Sequence, residues 1–100
     1  MYHRTVTLIQ FNNKMSLYHL FSQVESEEHF QELLDITCTE KEQTMMVERW
    51  RILNALNEGK SQRAIAKELA CSVVTVTRGA KVYRTKKAII KKWLTHLLPA

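Results

Sequence analysis

The strongest constraint on the fold is the near absence of residues that interrupt a helix. The 100-residue sequence contains two Gly and one Pro, and the Pro lies at position 99. Gly and Pro are the residues that helix interiors tolerate least, whereas Leu, Glu, Lys and Gln, which are abundant here, favour helices. We therefore predict an all-α fold with one modest hydrophobic core, which is what a chain of this length can bury.

Apolar spacing and capping residues divide the chain into six predicted helices joined by short connections. The predicted helices begin near Ser16, Ser26, Thr39, Ser61, Val73 and Lys87. The third is the longest and stops at Gly59, the fifth runs to Lys81 or beyond, and the sixth runs to about Leu98. Because the third helix has an unusually wide apolar face around Trp50, we expect a second copy of the chain to cover part of it.

We expect residues 1–15 to form an N-terminal arm that is either disordered or wrapped around a partner chain. The alternative is that translation starts at Met15, in which case residues 1–14 carry no function. Residues 16–98 are predicted to form a single helical domain.

Basic charge is concentrated in the C-terminal half of the chain. The formal net charge is −4 over residues 1–50 and +9 over residues 51–100. Such an imbalance is typical of a protein that binds a polyanion such as DNA. The alternative is a solvated basic face that only keeps the protein in solution.

Residues 61–81, SQRAIAKELACSVVTVTRGAK, have the spacing of a helix-turn-helix. A helix of eight or nine residues is followed by a three-residue turn and a second helix, which Ser72 can cap. Ile65, Leu69 and Val76 would form the shared core, and Ala66 is small where the two helices cross. The alternative is an ordinary helical hairpin with a polar face.

We predict that the second helix of this motif enters the major groove of double-stranded DNA. Its short Val and Thr side chains allow close approach, and their methyl groups can contact thymine methyls. Arg63 is placed to pair with guanine, and the lysines are placed to contact phosphates. The predicted DNA-binding residues are Arg63, Lys67, Val73, Val74, Thr75, Thr77, Lys81 and Arg84.

Three segments resemble the tryptophan repressor family: RWRILNALNEG at 49–59, SQRAIAKEL at 61–69 and, most specifically, TVTRG at 75–79. The resemblance covers about residues 33–98. It implies a cytoplasmic, all-α, intertwined homodimer that binds L-tryptophan as a corepressor and then a palindromic operator, repressing genes of tryptophan biosynthesis or uptake. It also implies a dimer core formed by residues 16–58 and 87–98, with residues 61–81 as the helix-turn-helix.

The resemblance further implies a site for L-tryptophan beside the fifth helix. Arg49 and Arg78 would flank the indole ring, where a guanidinium over an aromatic face is favourable. Arg78 would also pair with the ligand carboxylate, and Gly79 would leave room for the ring. Each residue has a plainer interpretation: Arg49 in a salt bridge on its own helix, Arg78 as a phosphate contact, and Gly79 as a point of close packing.

The rest of the implied ligand site comes from the segment before the third helix. Thr39 would offer its hydroxyl group, while Ile36 and Cys38 would offer backbone carbonyls to the ligand ammonium, from the other subunit. Two departures from the family pattern leave the effector and the operator sequence open. The turn at 59–61 is one residue shorter than usual, and Ala80, Lys81, Val82 and Tyr83 replace the usual Ser-Asn-x-Leu after Gly79.

Other function classes have little support in the sequence. The four His residues have no paired nucleophile or carboxylate at meaningful spacing, and no Gly-rich phosphate loop occurs, so we predict no catalytic residues. Cys38 and Cys71 form no metal-binding motif, and we expect buried thiols in a reducing cytoplasm rather than a zinc site. No apolar run approaches the ~20 residues of a membrane span. The remaining alternatives are a helix-turn-helix regulator or transposase-type protein without a corepressor, and a helical protein-interaction dimer.

Overall fold

The computed structural model describes residues 11–97, and these residues form six α-helices and no strand. The helices are α1 (Lys14–Phe21), α2 (Glu27–Thr37), α3 (Glu40–Asn57), α4 (Gln62–Leu69), α5 (Val73–Thr85) and α6 (Lys87–Thr95). The prediction of an all-α chain with six helices is therefore confirmed. None of the helices within the described range is long and apolar enough to cross a membrane.

Serine side chains define the starts of three helices at the predicted positions. The hydroxyl groups of Ser26, Ser61 and Ser72 each accept a hydrogen bond from the backbone N–H three residues later, at 3.1 Å. Each bond satisfies a donor that has no partner within its helix. The long helix α3 starts directly after Thr39, also as predicted.

Two helix boundaries differ from the predicted ones. Helix α1 begins at Lys14 rather than near Ser16, because the side chain of Asn13 accepts a hydrogen bond from the N–H of Met15 at 2.9 Å. Helix α6 ends at Thr95 rather than near Leu98, which lies outside the described residues. A tight turn follows α6, in which the N–H of His96 donates to the carbonyl of Trp93 at 3.1 Å.

The chain divides into two compact units, Met1–Glu40 and Lys41–Ala100. In the first unit, the rings of Phe21 and Phe30 meet edge to face with centroids 5.6 Å apart. Neither α1 nor α2 contains a buried residue. The first ten residues of the predicted arm lie outside the described range, and the single domain over 16–98 stays a prediction.

Helix α3 is the centre of the second unit because its two faces supply two hydrophobic clusters. One cluster joins α3 to α4 and α5 and consists of Ile52, Ala55, Ile65, Ala66 and Val76, with Leu56, Leu69 and Cys71 packed against it. The other joins α3 to α5 and α6 and consists of Leu53, Ile90 and Leu94, with Val82 and Tyr83 packed against it. The predicted core of the helix-turn-helix is thus confirmed.

Helix α5 approaches α3 closely at Gly79. A Cβ atom at this position would lie 2.7 Å from Cγ2 of Ile52, which is less than real Cβ contacts allow. Ile52 is fully buried, and because protein interiors are closely packed its methyl group can move only by displacing its neighbours. Close packing between the two helices is therefore a sufficient reason for glycine at position 79.

Substitution of Gly79 by Ala should lower the free energy of unfolding. Overpacking of this kind costs about 1–3 kcal/mol, which the helix preference of Ala, worth about 1 kcal/mol over Gly, offsets only in part. The Ile52→Leu substitution removes the β-branched methyl group, so Gly79→Ala should cost less in that background. Urea unfolding of the four proteins in this double-mutant cycle measures the difference. If Gly79→Ala lowered the free energy of unfolding equally in both backgrounds, the contact between position 79 and Ile52 would be contradicted.

Candidate nucleic-acid interface

The connection between α4 and α5 sets the angle of the helix-turn-helix. Ala70 ends α4 in the left-handed conformation, with φ 55° and ψ 44°, and its N–H donates to the carbonyls of Ala66 and Lys67. Ser72 then adopts an extended conformation and caps α5. The three-residue turn and the buried contact of Ile65 with Val76 confirm the predicted helix-turn-helix arrangement.

A group of charged side chains surrounds Lys60 at the short turn between α3 and α4. Its ammonium group contacts the carboxylate oxygens of Glu68 at 3.0 and 3.1 Å and that of Glu58 at 3.6 Å. The hydrogen bond to Glu68 and the attraction of its charge raise the pKa of Lys60 above its ordinary value. All three side chains are exposed, so the ion pairs contribute little stability, but they connect the turn to the last part of α4.

A concave surface of about 310 Å³ lies where α4 meets α5, and we call it the α4–α5 hollow. Its lining residues are Gln62, Val73, Val74, Thr77, Arg78, Ala80, Lys81 and Arg84. None of these lining residues is acidic, and three of them carry a positive charge. The hollow therefore has the charge that phosphate groups require.

The structure brings most of the predicted DNA-binding residues to one surface. Those that line the hollow are Val73, Val74, Thr77, Lys81 and Arg84. Arg63 and Lys67 are exposed on α4 but do not line it. Thr75 is different, because it is half-buried and its hydroxyl group lies 2.8 Å from that of Ser72, at the helix cap.

Sequence reasoning missed Gln62. Its side chain lines the hollow, and its Oε1 accepts a hydrogen bond from the hydroxyl group of Thr77 at 2.9 Å. The two residues are 15 positions apart, so no local pattern pairs them. The helix-turn-helix spacing was the available signal, since it places the start of α4 beside the exposed face of α5.

The residues implied to bind L-tryptophan fall into two groups. Arg49 is exposed on α3, one turn before Ile52, and Arg78 is exposed on α5, directly before Gly79. The contact between Ile52 and Gly79 therefore places both arginines within one helical turn of the point where α3 and α5 meet. Gly79 is buried, and the position of its missing side chain faces Ile52.

The second group belongs to the end of the first unit. Ile36 is 83% exposed near the end of α2. Cys38 follows the helix in an extended conformation and donates its N–H to the carbonyl of Leu34 at 2.8 Å, and Thr39 precedes α3. Of the two backbone carbonyls predicted to contact a ligand, that of Ile36 thus lies in the last turn of α2 and that of Cys38 in the connection to α3.

Cys38 and Cys71 are both half-buried free thiols. Among residues 11–97, no group of three or more His, Cys, Asp or Glu residues is arranged to hold a metal ion.

Comparison with known proteins places the chain in a family. The family model described as Trp repressor protein matches residues 12–98. The Trp operon repressor homolog of Vibrio parahaemolyticus is 36% identical over 78 residues, which cover 77% of this chain and 75% of that relative. No solved structure gives a significant match.

The match contains all six helices, including the helix-turn-helix and its basic hollow. The family is one of transcription regulators, so the prediction of a regulator rather than an enzyme is confirmed. With a family match over nearly its whole length, the chain belongs to the Trp repressor family.

Proposed function

We propose that this chain is a transcriptional repressor whose affinity for a palindromic DNA operator increases when it binds L-tryptophan, and that it controls genes of tryptophan biosynthesis or uptake in the cytoplasm. The observation that carries this proposal is that α5 belongs both to the candidate DNA surface and to the helix crossing with α3. One face of α5 lines the α4–α5 hollow, and Gly79 on the same helix meets α3 beside Arg49.

The case for DNA binding is the charge and the chemistry of the α4–α5 hollow. Residues 60–92 contain ten basic residues and one acidic residue, Glu68, which is paired with Lys60. Val73 and Val74 are 51% and 60% exposed at the start of α5. Exposed valines surrounded by cations are suited to the major groove, where thymine methyls are apolar partners next to the phosphates.

The case for a corepressor is the position of the two arginines relative to the helix crossing. A planar aromatic amino acid between Arg49 and Arg78 would gain two cation–π contacts, and its carboxylate could pair with Arg78. The ligand would then act as a wedge between α3 and α5 and hold the helix-turn-helix at one angle. It would favour the DNA-binding orientation only to the extent that it binds that orientation more tightly.

The case for a homodimer is the apolar surface that the chain leaves uncovered. A groove of about 510 Å³ lies between α3 and α6 and is lined by Met46, Val47, Trp50, Arg51, Asn54, Leu94 and Leu97. Val47 and Leu97 are 59% and 73% exposed. A second copy of the chain would bury this groove. Its helix-turn-helix could then reach the next major groove of the operator, ~34 Å away.

One observation favours a second candidate, a helix-turn-helix regulator that needs no corepressor. The contact with Ile52 explains Gly79 without any ligand. In this case Arg78, which lines the basic hollow, would contact only phosphates.

Binding to duplex DNA should weaken steeply with salt, because cations of the hollow release counterions from the phosphates. Arg63→Ala should cost about 1–3 kcal/mol on an operator selected from random duplexes and little on random DNA. Fluorescence anisotropy at several salt concentrations measures both effects. Lys41→Ala is the control, since it removes a cation from the start of α3. Equal losses on both DNAs would make Arg63 a phosphate contact only, and no salt-dependent binding would remove the DNA-binding function.

L-tryptophan should bind the purified protein and increase its affinity for the operator. Arg78→Ala should abolish the heat of binding in isothermal titration, because it removes the partner of the carboxylate and one side of the indole site. Lys91→Ala, which removes an exposed cation from α6, should retain the heat. If the wild-type protein gives no heat and binds its operator equally with and without tryptophan, the second candidate is correct.

In sedimentation equilibrium, the protein should have twice the mass of the 11.7 kDa chain. Trp50→Glu should shift the equilibrium toward the monomer, because it places a charge in the groove between α3 and α6. Met45→Glu is the matched control, since Met45 is exposed on the same helix but does not line the groove. A monomeric wild-type protein, or equal effects of both substitutions, would contradict a dimer formed through this groove.

A further inference from the structure

We propose that Gln62 and Thr77 act together as one reader of adenine in the major groove, Gln62 donating to N7 and Thr77 accepting from the N6 amino group. This inference rests on the proposed DNA-binding function and extends it to the choice of base. It concerns a residue pair and not the helix-turn-helix as a whole.

The hydrogen bond between the two side chains determines what each one offers to DNA. The hydroxyl group of Thr77 donates to Oε1 of Gln62 at 2.9 Å. A threonine hydroxyl has a single proton, so the exposed side of this oxygen can only accept. Because Oε1 of Gln62 is directed toward Thr77, the free end of the amide is its NH₂ group, which can only donate. The pair therefore offers one donor beside one acceptor.

Adenine and guanine differ in whether N7 and the neighbouring exocyclic group fit a donor beside an acceptor. Adenine has an acceptor at N7 next to a donor at N6, and these match Gln62 and Thr77 respectively. Guanine has acceptors at both N7 and O6, so O6 would face the lone pairs of Thr77 without a proton between them. At a purine contacted through N7 and its exocyclic group, the pair thus prefers adenine to guanine.

The surroundings of the pair support a role in reading a base. Both residues are exposed and line the α4–α5 hollow. The cations that share the hollow, Arg78, Lys81 and Arg84, are suited to phosphates, which position a protein on DNA but carry no base information directly. The hollow therefore contains cations that can position the protein on the phosphates and a polar pair that offers one donor and one acceptor to a base.

The helices that carry the pair are held together by buried packing beneath it. Gln62 follows the Ser61 cap of α4, and Thr77 follows the buried Val76 of α5. Ile65 and Val76, which are both fully buried, hold the two helices together in one cluster. The donor and the acceptor consequently move as a unit, which a base-reading pair requires.

Thr75 and Thr77 have different roles on the same helix. Both were predicted to contact DNA, but the hydroxyl group of Thr75 is 2.8 Å from that of Ser72, in the helix cap. Thr77 is exposed and its hydroxyl group bonds to Gln62. We therefore assign the choice of base to Thr77 and the support of the helix start to Thr75.

The test uses the full chain with L-tryptophan and a duplex selected from a random pool. One adenine in each half-site should be preferred over guanine by about ten- to a hundredfold, the discrimination expected of a well-formed pair of contacts. Replacing this adenine by 7-deazaadenine removes N7, and replacing it by unsubstituted purine removes the amino group. Fluorescence anisotropy should show weaker binding by the wild-type protein to both modified duplexes.

Variants assign the two base atoms to the two side chains. Gln62→Ala should become insensitive to 7-deazaadenine. Thr77→Val has nearly the same shape but no hydroxyl group, so it should become insensitive to loss of the amino group and lose the preference for adenine over guanine. Thr77→Ser should restore both. Thr85→Val is the matched control, because it removes a hydroxyl group that bonds only to helix carbonyls at the end of α5.

The outcomes separate this inference from the proposed function. Circular dichroism and urea unfolding establish that Thr77→Val is folded, so that a lost preference reports on the base contact. If the selected site has no position that prefers adenine to guanine, or if folded Thr77→Val keeps the preference, the pair is not the reader and DNA binding stands. If the wild-type protein binds no duplex in a salt-dependent manner, both proposals are wrong.

Discussion

The contact of Gly79 with Ile52 is the constraint on which the candidate site depends. Ile52 is fully buried at the centre of the cluster that joins α3, α4 and α5. Since a Cβ atom at position 79 would lie only 2.7 Å from its methyl group, glycine is what allows α5 to approach α3 this closely. The position of α5 in turn sets the shape of the α4–α5 hollow and the place of Arg78.

Helix α5 connects the interior of the protein to its candidate DNA surface. Val76 and Gly79 face the core, while Val73, Thr77 and Lys81 line the hollow. Because buried Ile65 and Val76 hold α4 and α5 together, a displacement of α5 relative to α3 would move the whole hollow relative to α3. This is the physical basis on which a small molecule beside the helix crossing could control binding to DNA.

The structure also changes the interpretation of several predicted residues. Glycine at 79 was expected either to make room for a ligand or to be a point of close packing, and it packs closely against Ile52. Thr75 was expected to reach DNA, and its hydroxyl group belongs to the helix cap. The proposed ligand site therefore depends mainly on Arg49 and Arg78, which are exposed near the point where α3 and α5 cross.

The sequence by itself determined the features that depend on neighbouring residues. Three helix starts follow from serine caps, each a contact over three positions, and the helix-turn-helix core follows from apolar spacing. Charge counting located the basic half of the chain. Only the tertiary structure decided the bond between Thr77 and Gln62 and the reason for glycine at 79. These are contacts between residues 15 or more positions apart, and no local pattern specifies them because they depend on the angle at which whole helices cross.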